Sequence, residues 1–169
     1  MLFRSARLQP AWVFSTGSNN GHESAPLVNN GVMFVSTPGN QVIALDARTG
    51  RRLWHFQTIH HDLWDLDNVS APQLVTVTHD GRKVDVVAHA GKTGFLYVFN
   101  RVTGEPLWPI EERAVPVSDV PGETASPTQP IPTRPAPFAR QGFSADDVMA
   151  FTPALRRAAL DEKIGRAHV

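Results

Sequence analysis

"ALDARTGRRLW", Ala44 to Trp54, has a counterpart in "NRVTGEPLW", Asn100 to Trp108, and both close on Thr-Gly-x-x-Leu-Trp. Working outward, the first of these motifs ends a stretch that begins Ser-Ala-Pro at Ser24, and the second ends one that begins Ser-Ala-Pro at Ser70. Upstream, "WVFSTG" from Trp12 matches "WHFQTI" from Trp54. The tryptophans at 12, 54 and 108 are therefore 42 and 54 residues apart, which is the period of one β-propeller blade. Each repeat tryptophan is expected to pack blade against blade.

The local chemistry agrees with a meander of short strands. Val32–Ser36, Gln41–Asp46, Trp54–Thr58, Leu74–Thr78, Lys83–His89 and Gly94–Asn100 are rich in β-branched and aromatic residues. Asn29-Asn30-Gly31, Thr37-Pro38-Gly39-Asn40, Arg48-Thr49-Gly50 and Asp80-Gly81 separate them, each supplying a residue that tolerates positive φ. Four antiparallel strands per blade are expected. Within the motif, Asp46 can accept hydrogen bonds from turn amides and Gly50 can take the left-handed conformation. Trp54 can then wedge between sheets.

Composition narrows the partner. The 169 residues are 41% hydrophobic and carry sixteen basic and sixteen acidic side chains. Such a balance gives no electrostatic reason to bind nucleic acid or an anionic membrane. No apolar run approaches the length of a membrane span and the first ten residues have no apolar core, so neither a span nor a signal peptide is expected in this chain. The absence of cysteine excludes disulfides, thiolate metal sites and cysteine nucleophiles.

After Trp108 the character changes, since nine of the fourteen prolines lie between Pro106 and Pro137. Residues 109–143 are expected to form an extended, proline-rich surface arm outside any sheet interior. Two short helices follow over 144–163. Ser144 with Asp146 and Asp147 can start one, and Thr152 can cap "PALRRAALDEK" with proline at its first position.

Chemistry concentrates in "HHDLWDLDN", His60 to Asn68. Loops of a meander alternate between the two ends of a blade. Glu23 and Asp65 fall in links between blades, and Lys92 in the turn between second and third strands. Strand parity puts all three on one face. A metal site is not expected, because adjacent His60 and His61 on an extended chain point in opposite directions and no cysteine completes a set. An acid/base reading makes Asp65 a general base between the Trp64 indole, which raises its pKa, and Lys92, which lowers it. A structural reading makes Asp62 and Asp65 turn caps, and on spacing alone that reading prevails.

A resemblance adds what spacing cannot. "QPAWVFSTGSNNGHESAPLVNNGVMFVSTPGNQVIALDARTG" and "WHFQTIHHDLWDLD", with "AGKTGFLYVFNRVTGEPLWPIEERAVPVSDVPGETASPTQP", resemble two separate parts of the pyrroloquinoline quinone (PQQ)-dependent alcohol and glucose dehydrogenases. The likeness covers about residues 9 to 160. It implies an all-β, partial β-propeller over 6–108, cut from an eight-bladed ring that carries PQQ and calcium on one face. By the same resemblance Asp65 matches the base that takes the substrate hydroxyl proton while hydride passes to the quinone. Lys92 matches the residue that hydrogen-bonds the quinone oxygens, and Glu23 an acidic residue near the cofactor. An alcohol or sugar substrate, a cytochrome or ubiquinone as electron acceptor, and a periplasmic location are implied as well. The runner-up expectation is a non-catalytic propeller-repeat scaffold that binds proteins.

The departures from the family pattern carry their own expectations. The family segment that holds the calcium-ligating glutamate and asparagine, and the tryptophan under the cofactor, is missing between the first full blade and "HFQTIHHDLWD". A false join is expected near 48–56, where blade repeats are nearly interchangeable. A full ring needs about 320 residues at ~40 per blade, against 169 here, so PQQ and calcium binding by this chain alone is not expected. Codons can be chosen that make Met1–Arg4 and Ile164–His168 reverse complements resembling a sequencing adapter, so residues 1–5 and 164–169 are expected to be translated adapter.

Overall fold

The computed structural model describes residues 8–161 except 119, 143, 149 and 150. The expected adapter ends lie outside them. Nine strands and one helix follow in order: β1 Leu27–Asn29, β2 Val32–Thr37, β3 Gln41–Asp46, β4 Arg52–Gln57, β5 Gln73–His79, β6 Arg82–Ala90, β7 Leu96–Asn100, β8 Ile110–Ala114, β9 Thr128–Pro132 and α1 Pro153–Asp161. The sheet order is β1-β2-β3-β4, β5-β6-β7 and β8-β9, every pair antiparallel. The first sheet is a complete four-stranded blade.

Turn chemistry explains the hairpins. Asn30 and Gly31 both have positive φ (47° and 77°), as do Asp80 and Gly81 (48° and 74°), the type I′ arrangement whose twist matches that of the flanking strands. Strand β7 is followed by only an isolated bridge, Phe99 to Pro106, with Leu107 N–H donating to Val98 O at 2.8 Å. The expected fourth strand of the second blade is thus reduced to that bridge. Proline at 106 has no N–H to extend a ladder. A second difference lies at the N-terminus, where residues 12–17 form no strand.

The two blades bury their facing surfaces against each other. Phe34 and Ala44 of the first meet Val87, Phe95, Tyr97 and Phe99 of the second, with Trp54 and Phe56 packed between. Trp54 lies 6.0 Å from Phe34 and 5.8 Å from Phe99, and Phe56 lies 5.0 Å from Phe99, all tilted. These spacings suit aromatic pairing. The Trp54 indole N–H reaches Arg101 O at 3.3 Å, and a Cβ on Gly104 would sit 2.6 Å from its ring. The expected role of the repeat tryptophan in joining blades is what the structure shows.

The proline-rich arm is not wholly extended over the surface. Strands β8 and β9 pair through it, and Gln129, Pro130 and Ile131 are buried against the blades. A two-stranded sheet consists only of edges, so Pro130 and Pro132 need no second ladder partner. Near the C-terminus, Asp147 Oδ2 accepts from Ser144 N–H (2.7 Å) and Oγ–H (2.8 Å) around a single 3-10 turn, Ala145–Asp147. Those bonds hold the Asp147 carboxyl below the usual range. Thr152 Oγ1 accepts from Leu155 N–H at 3.2 Å and so caps α1.

Candidate functional site

The candidate site is built on two turns. The loop between β4 and β5 carries His60 to Asn68, and the turn between β6 and β7 carries Gly91 to Gly94. Strand parity puts both at the same end of the blades, and the side chains meet there. Lys92 Nζ donates to Asp65 O at 2.9 Å and to Asp65 Oδ2 at 3.3 Å, and it also pairs with Asp67 Oδ1. The Asp67 bond, then desolvation in the opposite sense, then the Asp65 bond set the ammonium pKa, which is raised overall.

Glu23 joins the same face. Glu23, Asp62, Asp65 and Asp67 line one open cavity of about 460 Å³, with Asn20 and Pro38 among the other walls. Glu23 and Asp65 thus share this cavity, and Lys92, which is not among its walls, reaches it through its contacts with Asp65 and Asp67. The apolar wall expected from Trp64 is not found, since Leu63 and Pro38 are the large apolar residues lining the cavity.

Each neighbour of Asp65 has a different task. Asp62 is a loop brace, accepting from Trp64 N–H at 2.9 Å and from Asn40 Nδ2 at 3.0 Å. Beneath it, the buried Thr58 hydroxyl lies 3.2 Å from both Asn40 O and Asn68 Oδ1. Asp65 sits at φ 58°, a left-handed conformation that aspartate tolerates because its short polar side chain can bond locally. Its side chain is 89% exposed. Asp67, at 20% exposed, is the enclosed member of the pair.

The arm reaches this loop from behind. The buried Gln129 side chain accepts from His60 N–H and donates to His60 O, both at 2.8 Å, as a strand neighbour would. The His60 ring lies 3.2 Å from Gln57 Oε1 and 3.0 Å from Glu112 Oε1. That second contact keeps the Glu112 carboxyl below its ordinary range. Tyr97 O–H lies 3.0 Å from both Thr58 O and Pro130 O, which ties arm, loop and second blade at one point. Burial pushes its phenol up. Over the other turn, Phe138 N–H donates to Gly94 O and Gln141 Nε2 to Thr93 O, both at 2.9 Å.

Two residues at this site escaped the reading of the sequence. Asp67 could have been found, because it lies only two residues beyond Asp65 in the same acidic run, Asp62 to Asp67. Gln129 gave no local signal, lying 69 residues from its partner. His89 is a further buried group on the β6 face shared with Tyr97, its cross-strand partner. Neither ring nitrogen has a partner among the described residues, and desolvation lowers its pKa to about 4.

The family model of the PQQ glucose/ethanol/alcohol dehydrogenase β-propeller domain matches residues 5–54 and 39–169. Among curated relatives, the quinoprotein glucose dehydrogenase of Gluconobacter oxydans is 46% identical over 91 residues, covering 53% of this chain and 11% of that protein. The quinate/shikimate dehydrogenase (quinone) of Acinetobacter baylyi is 40% identical over 113 residues, 66% of this chain and 14% of its own length. The glycerol dehydrogenase large subunit of Gluconobacter thailandicus is 36% identical over 131 residues, 71% and 18% respectively. The chain thus spans less than a fifth of the length of each of these relatives.

Proposed function

The chain belongs to the PQQ glucose/ethanol/alcohol dehydrogenase β-propeller family, and from that premise we propose that it is an internally deleted piece of a periplasmic dehydrogenase that oxidises an alcohol or aldose. Asp65 is the base for the substrate hydroxyl and Lys92 the cation beside it. The observation that supports this reading is that Asp65 and Glu23, from separate segments, line one cavity while Lys92, from a third, pairs with Asp65. An exposed carboxylate opening onto a cavity is free to accept a proton from a bound hydroxyl.

The residues present do not fit the quinone itself. PQQ carries three carboxylates, whereas four carboxylates line this cavity and the adjacent ammonium is already paired with two of them. Like charges at close range in a partly enclosed space repel. Among the described residues no group of three or more His, Cys, Asp or Glu side chains is placed to hold a metal ion. We read the missing cationic and aromatic partners as belonging to parts of the ring this chain does not span. The two family matches overlap over residues 39–54, which supports a join at that repeat.

The test uses two proteins. The 169-residue chain mixed with PQQ and calcium should show no saturable binding in the micromolar range and no alcohol- or glucose-dependent dye reduction. A parent reading frame restored from DNA reads across codons 48–56 should show both. Asp65→Asn in that parent should remove turnover while leaving cofactor binding nearly intact, because the base acts on the substrate proton. Turnover by the short chain would overturn its assignment as an inactive piece, and full activity of the asparagine variant would overturn the assignment of the base.

A further inference from the structure

We infer that Asp67 is the fixed counter-ion of Lys92 and so a positioning residue of this site, leaving Asp65 as the exchangeable carboxylate that is free to meet a substrate. The inference rests on the reading of Lys92 as the cation of the site, and it assigns a task to a residue outside the set that resemblance supplied.

Geometry separates the two carboxylates. Both lie on the loop between β4 and β5 and both contact the same ammonium. Their surroundings differ: the Asp65 side chain is 89% exposed and that of Asp67 only 20%. A charge pair held in a partly enclosed setting is less screened than one in open solvent, so its partner is harder to release. An exposed carboxylate bonded at 3.3 Å has a water-filled alternative at little cost. The Asp65 main chain adds to the division, because its carbonyl also accepts from Lys92 Nζ at 2.9 Å whatever the carboxylate does. Lys92 therefore keeps two anchors, Asp67 and a main-chain oxygen, when the Asp65 carboxylate swings away.

The chemistry of the site needs this asymmetry. If Asp65 were the sole partner of Lys92, taking up a proton would strip the ammonium of its only counter-charge. With Asp67 in place, the ammonium stays held and charged whichever protonation state Asp65 has. The bond to Asp67 is also the leading reason the Lys92 pKa is raised.

Amine acylation reads this directly in the 169-residue chain, without quinone or substrate. Sulfo-N-hydroxysuccinimidyl acetate reacts with the neutral amine, so a lysine held as ammonium by a counter-ion labels slowly. Site-resolved mass spectrometry compares Lys92 with the exposed Lys83 as internal reference. We expect Lys92 to label more slowly than Lys83, Asp67→Asn to speed Lys92 several-fold with Lys83 unchanged, and Asp67→Glu to restore slow labelling. Asp65→Asn should leave Lys92 within about twofold of the parent chain, a change too small to be a lost counter-ion. Acceleration by Asp65→Asn equal to or above that by Asp67→Asn overturns the inference, as does equal labelling of Lys92 in all four proteins. If Asp67→Asn fails to fold by circular dichroism, Asp67→Ser takes its place, with the same several-fold acceleration of Lys92 expected and an unchanged rate overturning the inference. Failure here removes the role of Asp67 and leaves the dehydrogenase reading standing. Failure of the restored parent to bind PQQ does the reverse.

Discussion

The two copies of the Thr-Gly-x-x-Leu-Trp turn receive tryptophans in the same way but in different company. Trp12 donates its indole N–H to Ala47 O at 3.1 Å and lies over Gly50, and Trp54 donates to Arg101 O at 3.3 Å and lies over Gly104. In the first turn Asp46 Oδ1 accepts from Arg48 N–H and Thr49 N–H; in the second Asn100 Oδ1 accepts from Val102 N–H and Thr103 N–H. The Thr49 hydroxyl in particular keeps the Asp46 carboxyl below its usual range. Yet Trp12 comes from a segment without a strand, while Trp54 comes from β4 and is wedged between Phe34 and Phe99. The comparison teaches that the turn is a self-contained receptor for an indole. How much each docking stabilises depends on what surrounds the ring.

The largest test of that contrast removes the rings. Trp54→Ala should cost about 3–5 kcal/mol, because it opens a large void in an aromatic core. Trp12→Ala should cost about 1–2 kcal/mol, the worth of one hydrogen bond and a partly exposed contact. Urea denaturation followed by circular dichroism measures both. Equal losses would break the contrast and place the energy in the turn instead of the surrounding rings.

The second test is pH, because the face that receives Trp54 also carries the buried His89. Its folded pKa of about 4 lies below the unfolded value of 6.5. Between those values the unfolded chain binds a proton that the folded chain does not. Stability should therefore be full above about pH 6.5 and fall by roughly 3 kcal/mol as pH drops to about 4, at 1.36 kcal/mol per unit. His89→Leu should flatten melting temperature against pH across that window. A slope that persists in the variant would remove His89 as its source.

The smallest expected effect sharpens the comparison at the glycines. Both have positive φ, 72° at Gly50 and 77° at Gly104, and a Cβ at either would sit 2.6 Å from the docked ring. Gly50→Ala should cost about 1–2 kcal/mol from backbone strain and a displaced, partly exposed indole. Gly104→Ala should cost more, since its ring has no room to retreat from Phe34 and Phe99. Reversal of that order in thermal melts would mean that Trp12 is held the more tightly.

Much of this was legible in the residues because it rests on short-range causes. Positive-φ residues at Asn30-Gly31 and Asp80-Gly81 mark hairpins wherever they occur, and a side chain such as Asp46 bonds its own turn whatever the rest of the chain does. Tryptophan spacing announced the blades, and strand parity placed Asp65 and Lys92 at one end. The proline-rich arm misled because composition reports what a segment cannot build in a sheet interior. It is silent on the edge pairing that β8 and β9 adopt.

What the sequence determined by itself, then, is the blade repeat, its turns and the face that carries the charges, since each follows from periodicity or from contacts within a few residues. Tertiary structure decided that Gln129 braces the His60 loop from 69 residues away, and that Lys92 has Asp67 as well as Asp65. It also decided which of those two carboxylates stays open to solvent. The physical reason is the same throughout: burial and pairing depend on which distant elements arrive at a point, and a one-dimensional pattern records a residue's own preferences without its eventual neighbours.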